Sequence, residues 1–122
     1  MSVTRVLIVD DASEVRQGLS LILPLTGDIE VVGEATNGLE AIRAVEELQP
    51  EVVLMDLEMP IMDGYSAARQ IKTQHPACRV IALTVHDYEA ARTKAAQAGV
   101  DDFFVKGLPV ASLAQSILVR KE

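Results

Sequence analysis

Three aspartates, a threonine and a lysine each stand directly after a short apolar run, and together these five side chains can do chemistry. Asp10 and Asp11 follow Val6-Leu7-Ile8-Val9, and Asp56 follows Val52-Val53-Leu54-Met55. Thr84 follows Arg79-Val80-Ile81-Ala82-Leu83, and Lys106 follows Phe103-Phe104-Val105. Carboxylates gathered in one place raise one another's pKa unless a cation neutralises them. A hard divalent ion such as Mg2+ meets that need, because it takes oxygen ligands and combines one or two carboxylates with a phosphate oxygen. Such an ion also screens an incoming phosphate from the acids during in-line displacement. Asp56 is then the nucleophile that accepts a phosphoryl group. Lys106 offers a compact ammonium to a phosphoryl oxygen, and Thr84 offers a neutral hydroxyl donor.

Taken singly, each residue has an ordinary use. Asp11 serves equally well as the cap of a helix, with Glu14 three residues on. An acid after a buried strand is common, a lone lysine is usually solvated, and a lone threonine often sits in a turn. The signal is the joint placement, so the elements that carry these residues decide the matter.

Short β-branched runs alternate with amphipathic stretches along the whole chain. After the first run, Val15, Leu19, Ile22 and Leu23 recur at helical spacing up to Pro24. Residues 29–33 form a second strand, and Asn37 with Glu40 caps a helix facing inward through Ala41, Ile42, Val45 and Leu48. The third strand is apolar throughout, as a central parallel strand should be. Gly64 and Tyr65 open a third helix, with Ala68 and Ile71 inward. A fourth runs from Glu89 to Ala98 and stops at Gly99. Pro109 opens a last helix that buries Val110, Leu113 and Ile117. The period of about 24 residues is that of a βα unit. Five such units imply an α/β fold with a doubly wound parallel sheet and helices on both faces. In open sheets of this kind, ligands bind beyond the carboxyl ends of the strands, where all five residues fall.

The bulk numbers exclude other classes. The 122 residues suffice for one domain, expected to span 1–122, and 49% hydrophobic content supports a core. A net charge of −7 and only 3% aromatics provide neither a basic stripe nor a stacking platform, so direct nucleic-acid binding by this segment is not expected. Anionic membranes are disfavoured for the same reason. The single cysteine, Cys78, excludes an intrachain disulfide and fits a reducing compartment. No signal-peptide pattern and no bilayer-length apolar stretch occurs, so the expected location is the cytoplasm.

The stretches VLIVDD, LMDLEMPIMDG, IALT and GVDDFFVK resemble, in order, the signatures of receiver domains of two-component response regulators. The segment from Val31 to Gly64 is most similar to receivers of regulators with a helix-turn-helix output of the LuxR/NarL type. The resemblance implies a flavodoxin-like (βα)5 fold with strand order 2-1-3-4-5. It implies that Asp56 is the phosphoacceptor and that Mg2+, or Mn2+ in its place, is held by Asp11, Asp56 and the backbone carbonyl of Glu58, with Asp10 acting through water. Thr84 and Lys106 would bind the phosphoryl group, and Phe103 would follow Thr84 as the switch aromatic. The fourth helix, fifth strand and fifth helix would form the output face. The implied partners are a sensor histidine kinase or phosphotransfer protein and a second copy on phosphorylation. The implied output is transcription through a DNA-binding domain outside this chain, which reads either as a stand-alone receiver or as one excised from a longer regulator.

Three positions depart from the family pattern. Gly107 stands where many receivers have Pro, so a cis peptide is not implied. Val85 is bulkier than the usual small residue after Thr84, and Phe103 lacks a tyrosine hydroxyl. Glu58 and His86 lie two residues beyond Asp56 and Thr84. They are expected to face each other across the mouth of the site, with Val85 narrowing it from below, and so to modulate hydrolysis. His75, before Pro76, reads as a solvated loop residue, Cys78 as a small filler, and Met55, Met59 and Met62 as packing residues. An aspartyl-phosphate phosphatase needs a second acid two positions after its nucleophile, but Ala12 and Ser13 follow the first acid pair. A flavin site wants phosphate-binding amides where this first loop is acidic. A degenerate scaffold would have lost one of the five residues.

Overall fold

β-Branched runs that are apolar on both faces can persist only if helices cover both sides of the sheet, and that requirement organises the chain. The computed structural model describes residues 3–119. The strands are β1 (Thr4–Val9), β2 (Ile29–Ala35), β3 (Val52–Asp56), β4 (Arg79–Thr84) and β5 (Asp102–Val105). The helices are α1 (Ser13–Ile22), α2 (Gly38–Leu48), α3 (Gly64–Gln74), α4 (Glu89–Gln97) and α5 (Val110–Leu118). A single 3-10 turn, Leu23–Leu25, follows α1. All strand pairs are parallel and the order is β2-β1-β3-β4-β5, as the family resemblance implied.

Strand alternation splits the core in two. Leu7, Val9, Val53, Met55 and Val80 pack with α2 and α3 on one face. Val6, Ile8, Leu54, Ile81 and Leu83 pack with Leu23 and α5 on the other. α4 joins the first face through Ala95 and Ala98. Caps set the helix starts. Asn37 Oδ1 accepts the Glu40 N–H at 2.9 Å, while Glu40 reaches back to the Thr36 N–H at 2.8 Å. Asp63 Oδ1 accepts the Ser66 N–H at 2.8 Å.

Four local expectations need correction. α1 buries none of its own residues. Pro24 tightens the chain into the 3-10 turn, so Leu23 enters the core while Ile22 stays exposed and Leu19 is half-buried. Asp11 does not cap α1, because Ala12 occupies the cap position and Asp10 Oδ1 accepts the Ala12 N–H instead. Val110 is only half-buried, at the open first turn of α5. His75 is not a solvated loop residue. It ends α3 with its N–H on the Ile71 carbonyl, and its Nε2 is enclosed 3.5 Å from Glu46 without a hydrogen bond. Cys78 is buried as filler, and burial pushes its thiol up to about 11.

Two glycines differ sharply in their surroundings. A Cβ on Gly64 would collide with the carbonyl of Asp56, whereas one on Gly18 would meet nothing within 4 Å. Gly64→Ala is therefore expected to destabilise the fold by about 1–3 kcal/mol. Gly18→Ala, inside α1, should stabilise it by about 0.5–1 kcal/mol. Urea unfolding of the two variants checks this, and equal effects would contradict it.

Candidate functional site

The strand registers bring the chemistry to one edge. Val9 pairs with Met55, Asp56 with Leu83, and Thr84 with Val105. Asp10 therefore emerges beside Asp56, and Lys106 beside the end of β4. Asp10, Asp56 and Thr84 are buried at 1%, 5% and 2% exposure, while Asp11 is exposed at the rim. Lys106 Nζ lies 2.6 Å from Asp10 Oδ2 and 3.7 Å from Asp56 Oδ2. Asp56 Oδ1 accepts the Glu58 N–H at 3.1 Å.

Burial pushes the Asp56 carboxyl up to about 6. The Glu58 N–H and the Lys106 ammonium oppose that rise, and the charges of Asp10 and Asp11 add to it. Asp10, Asp11 and Asp56 can each bring one oxygen within 4.8 Å of the others. Three hard oxygens carrying more negative charge than one ammonium offsets suit a divalent cation, and the donor set contains no soft ligand.

The remaining expected residues surround this centre. Thr84 Oγ1 accepts the His86 N–H at 3.1 Å. Glu58 and His86 do meet across the mouth, with Oε1 3.0 Å from Nε2. Val85, the residue after β4, is largely exposed. Phe103 is half-buried and carries the Arg92 guanidinium 4.5 Å from its ring centroid. Gly107 takes φ 98°, a left-handed conformation that suits glycine directly after Lys106.

Four supporting residues escaped the sequence reading. Arg16 Nη1 donates to the Asp10 carbonyl at 2.7 Å while its Nε holds Glu34 at 3.1 Å. Tyr88 hydroxyl lies 2.9 Å from His86 Nδ1, with the two rings stacked. Arg92 Nε holds Asp87 at 2.6 Å. Ile61 sits at φ 68° in a tight turn closed from the Met62 N–H to the Pro60 carbonyl, a strained conformation for a β-branched residue. These contacts depend on which elements the fold brings together.

A family model described as "Response regulator receiver domain" matches residues 6–118. This chain is a response regulator receiver domain. It is similar to the response regulator GacA of Pseudomonas viridiflava, 39% identical over 93% of this chain and 53% of that protein. It is also similar to the response regulator protein VraR of Staphylococcus aureus, 44% identical over 93% of this chain and 54% of that protein. The receiver thus spans about half the length of these relatives. Among solved structures, the receiver domain of the putative regulator NarL from Mycobacterium tuberculosis matches with a TM-score of 0.92. It is 31% identical, covering 97% of this chain and 95% of that one. A LuxR-family regulator from Aurantimonas matches at 0.89 with 34% identity, over 95% of this chain and 83% of that one. Receiver domains are phosphoacceptor signalling domains of two-component systems.

The acid cluster of this receiver carries a stability cost with a defined pH window. An acid whose folded pKa is raised loses stability as pH rises from its unfolded value of 3.8 through about 6. Asp56→Asn removes that loss. In EDTA-treated protein the variant is expected to gain on the order of 2 kcal/mol above about pH 7 and almost nothing near pH 4. Chemical unfolding at the two pH values reads the difference, and a gain independent of pH would refute the assignment.

Proposed function

We propose that this receiver takes a phosphoryl group on Asp56 from a sensor histidine kinase, a phosphotransfer protein or a small phosphodonor. The observation that carries this reading is the Lys106 ammonium set between Asp10 and Asp56 at the carboxyl edge of the sheet. An Asp56 carboxylate oxygen attacks the donor's phosphorus and displaces the donor group. Lys106 exchanges its contact with Asp10 for a phosphoryl oxygen, and Thr84 turns its hydroxyl from the His86 N–H towards another. Asp10, Asp11, Asp56 and the Glu58 carbonyl would hold Mg2+ or Mn2+. The bound cation supplies charge neutralisation for the phosphoryl oxygens. A receiver from Borrelia burgdorferi, 26% identical, was solved with Mg2+ and beryllofluoride in complex with CheX.

In this reading residues 1–122 act as one cytoplasmic switch. Movement of Thr84 frees space into which Phe103 repacks, so Arg92 loses its ring and the face of α4, β5 and α5 changes. The output is transcription through a DNA-binding domain beyond this chain, in keeping with relatives about twice its length. A second copy joins on phosphorylation. A few kcal/mol of differential contact is enough to shift such a two-state equilibrium strongly.

Mass spectrometry after acetyl phosphate treatment tests the acceptor. A single phosphoryl adduct is expected in wild type with Mg2+, and none in Asp56→Asn or in excess EDTA. An undiminished adduct in either control would sink the assignment. The Glu58–His86 contact closes the approach of water to the phosphoryl group and so slows hydrolysis. Glu58→Ala is expected to lose its phosphoryl group roughly three- to tenfold faster, about 1.4 kcal/mol of barrier at most. Decay followed at constant Mg2+ reads this, and an unchanged or slower rate would remove Glu58 from the mechanism.

A further inference from the structure

Both ring nitrogens of His86 have partners. Nε2 faces Glu58 Oε1 at 3.0 Å, and Nδ1 lies 2.9 Å from the Tyr88 hydroxyl. The Tyr88 ring also stacks on the imidazole, with 5.1 Å between centroids and 17° between planes. His75 differs, since its Nε2 has no hydrogen-bond partner. The two nitrogens of a neutral imidazole have opposite roles, one donating and one accepting. The bond made by one fixes the role of the other. A phenol that donates to Nδ1 leaves the ring proton on Nε2, where it points at the Glu58 carboxylate. Tyr88, His86 and Glu58 thus form one line of donors and acceptors laid across the mouth of the site.

Tyr88 meets none of the ordinary needs of its position. It is the N-cap of α4, yet its side chain makes no capping bond. Ser, Thr, Asp or Asn would stabilise the helix better there. Asp87, one residue earlier, is held by Arg92 at 2.6 Å. Nor does Tyr88 fill the core, at 58% exposure. Its backbone is fixed all the same, because its carbonyl accepts the Arg92 N–H at 3.0 Å in the first turn of α4. A helix end therefore carries the hydroxyl to the imidazole. An exposed pair such as Glu58 and His86 holds weakly on its own, since water competes at both ends. A further tie on His86 runs from its N–H to Thr84 Oγ1 at 3.1 Å, and it is given up when Thr84 turns to a phosphoryl oxygen. Tyr88 is the support that stays with the ring after that turn.

We infer that Tyr88 is a positioning residue of the phosphorylated form: its hydroxyl and ring hold His86 closed on Glu58, and it thereby sets the lifetime of the phosphoryl group. Tyr88 acts through His86 and not on the phosphoryl group itself. In hydrolysis a water oxygen attacks the phosphorus while the bond to the Asp56 oxygen breaks. The electron pair returns to the Asp56 carboxylate, and the proton of the water passes to solvent. A closed mouth obstructs the approach of that water, and a free imidazole does not. The inference rests on the proposed phosphorylation of Asp56 and on the part given there to the Glu58–His86 contact.

The test compares phosphoryl decay at constant Mg2+, after acetyl phosphate treatment, in wild type, Tyr88→Phe, Glu58→Ala and the double variant. Tyr88→Phe keeps the stack and removes one hydrogen bond, so roughly two- to fivefold faster decay is expected. In the Glu58→Ala background the same change should have no effect, because the contact it serves is gone. Nitrogen NMR of the imidazoles, at about pH 8.5 where an ordinary histidine is neutral, gives a second readout. The His86 Nδ1 resonance should move in Tyr88→Phe to that of an unbonded imine nitrogen, and the His75 resonances should stay in place. Amide shifts with beryllofluoride confirm that each variant keeps its fold and site. Wild-type decay in Tyr88→Phe beside faster decay in Glu58→Ala would overturn the inference and leave the Glu58 reading standing. Equal acceleration by Tyr88→Phe with and without Glu58 would also overturn it, as would an unmoved Nδ1 resonance. Unchanged decay in both single variants would remove the Glu58 reading and this inference together. Absence of any phosphoryl adduct in wild type would sink the phosphorylation reading, and the inference with it.

Discussion

The Lys106 ammonium, 2.6 Å from Asp10 and 3.7 Å from Asp56, is the charge that lets two carboxylates lie buried at one sheet edge. Burial opposes ionisation of Asp56, and the Glu58 N–H and the Lys106 ammonium work against that cost. The ammonium offsets only part of the burden, since the Asp56 carboxyl is still pushed up to about 6 by burial. The site is therefore left with an excess of negative charge, which a divalent cation would balance. The backbone around Lys106 is shaped to hold it. Its N–H is tied to the Thr84 carbonyl at 2.7 Å, and Gly107 turns the chain away at positive φ.

The same edge stores strain as well as charge. Ile61 is held at φ 68°, and Gly64 sits so close to the Asp56 carbonyl that no side chain fits. Ile61 lies in the loop between Asp56 and α3, and Gly64 opens α3. Local strain and buried like charges weaken a fold, and here the apolar strands on either side make up the loss. Val6 to Val9 and Val52 to Met55 are all fully or almost fully buried, packed by helices on both faces. A rigid sheet beneath a strained, charged rim is the arrangement a switch needs, because small changes at the rim cannot be absorbed by the core.

Much of this was legible along the chain. Apolar runs followed by acids, a threonine and a lysine placed five groups from four strand ends at one edge, because a parallel sheet admits no other common edge for residues that follow strands. The burial of Asp10, Asp56 and Thr84 agrees with that placement, as do the caps at Asn37 and Asp63. Short-range rules sufficed there, since each depends only on residues a few positions apart. The expectations that failed depended on direction instead. Leu23 points in while Ile22 stays exposed because a 3-10 turn sets the angle, and one residue of shift reverses it. The cap of α1 failed likewise, since Asp10 turned its carboxylate to the Ala12 N–H.

The amino-acid sequence by itself determined the fold, the site edge and the five groups on it, through hydrophobic period and residue type. Tertiary structure alone decided which groups touch. Lys106 lies 96 residues from Asp10 and meets it at 2.6 Å only because β5 and β1 end on the same side of the sheet. The stack of Arg92 on Phe103 and the closure of Glu58 on His86 join elements from different βα units. Sequence reports what a residue can bond to within a turn or two, and the crossovers of the parallel sheet choose its distant neighbours.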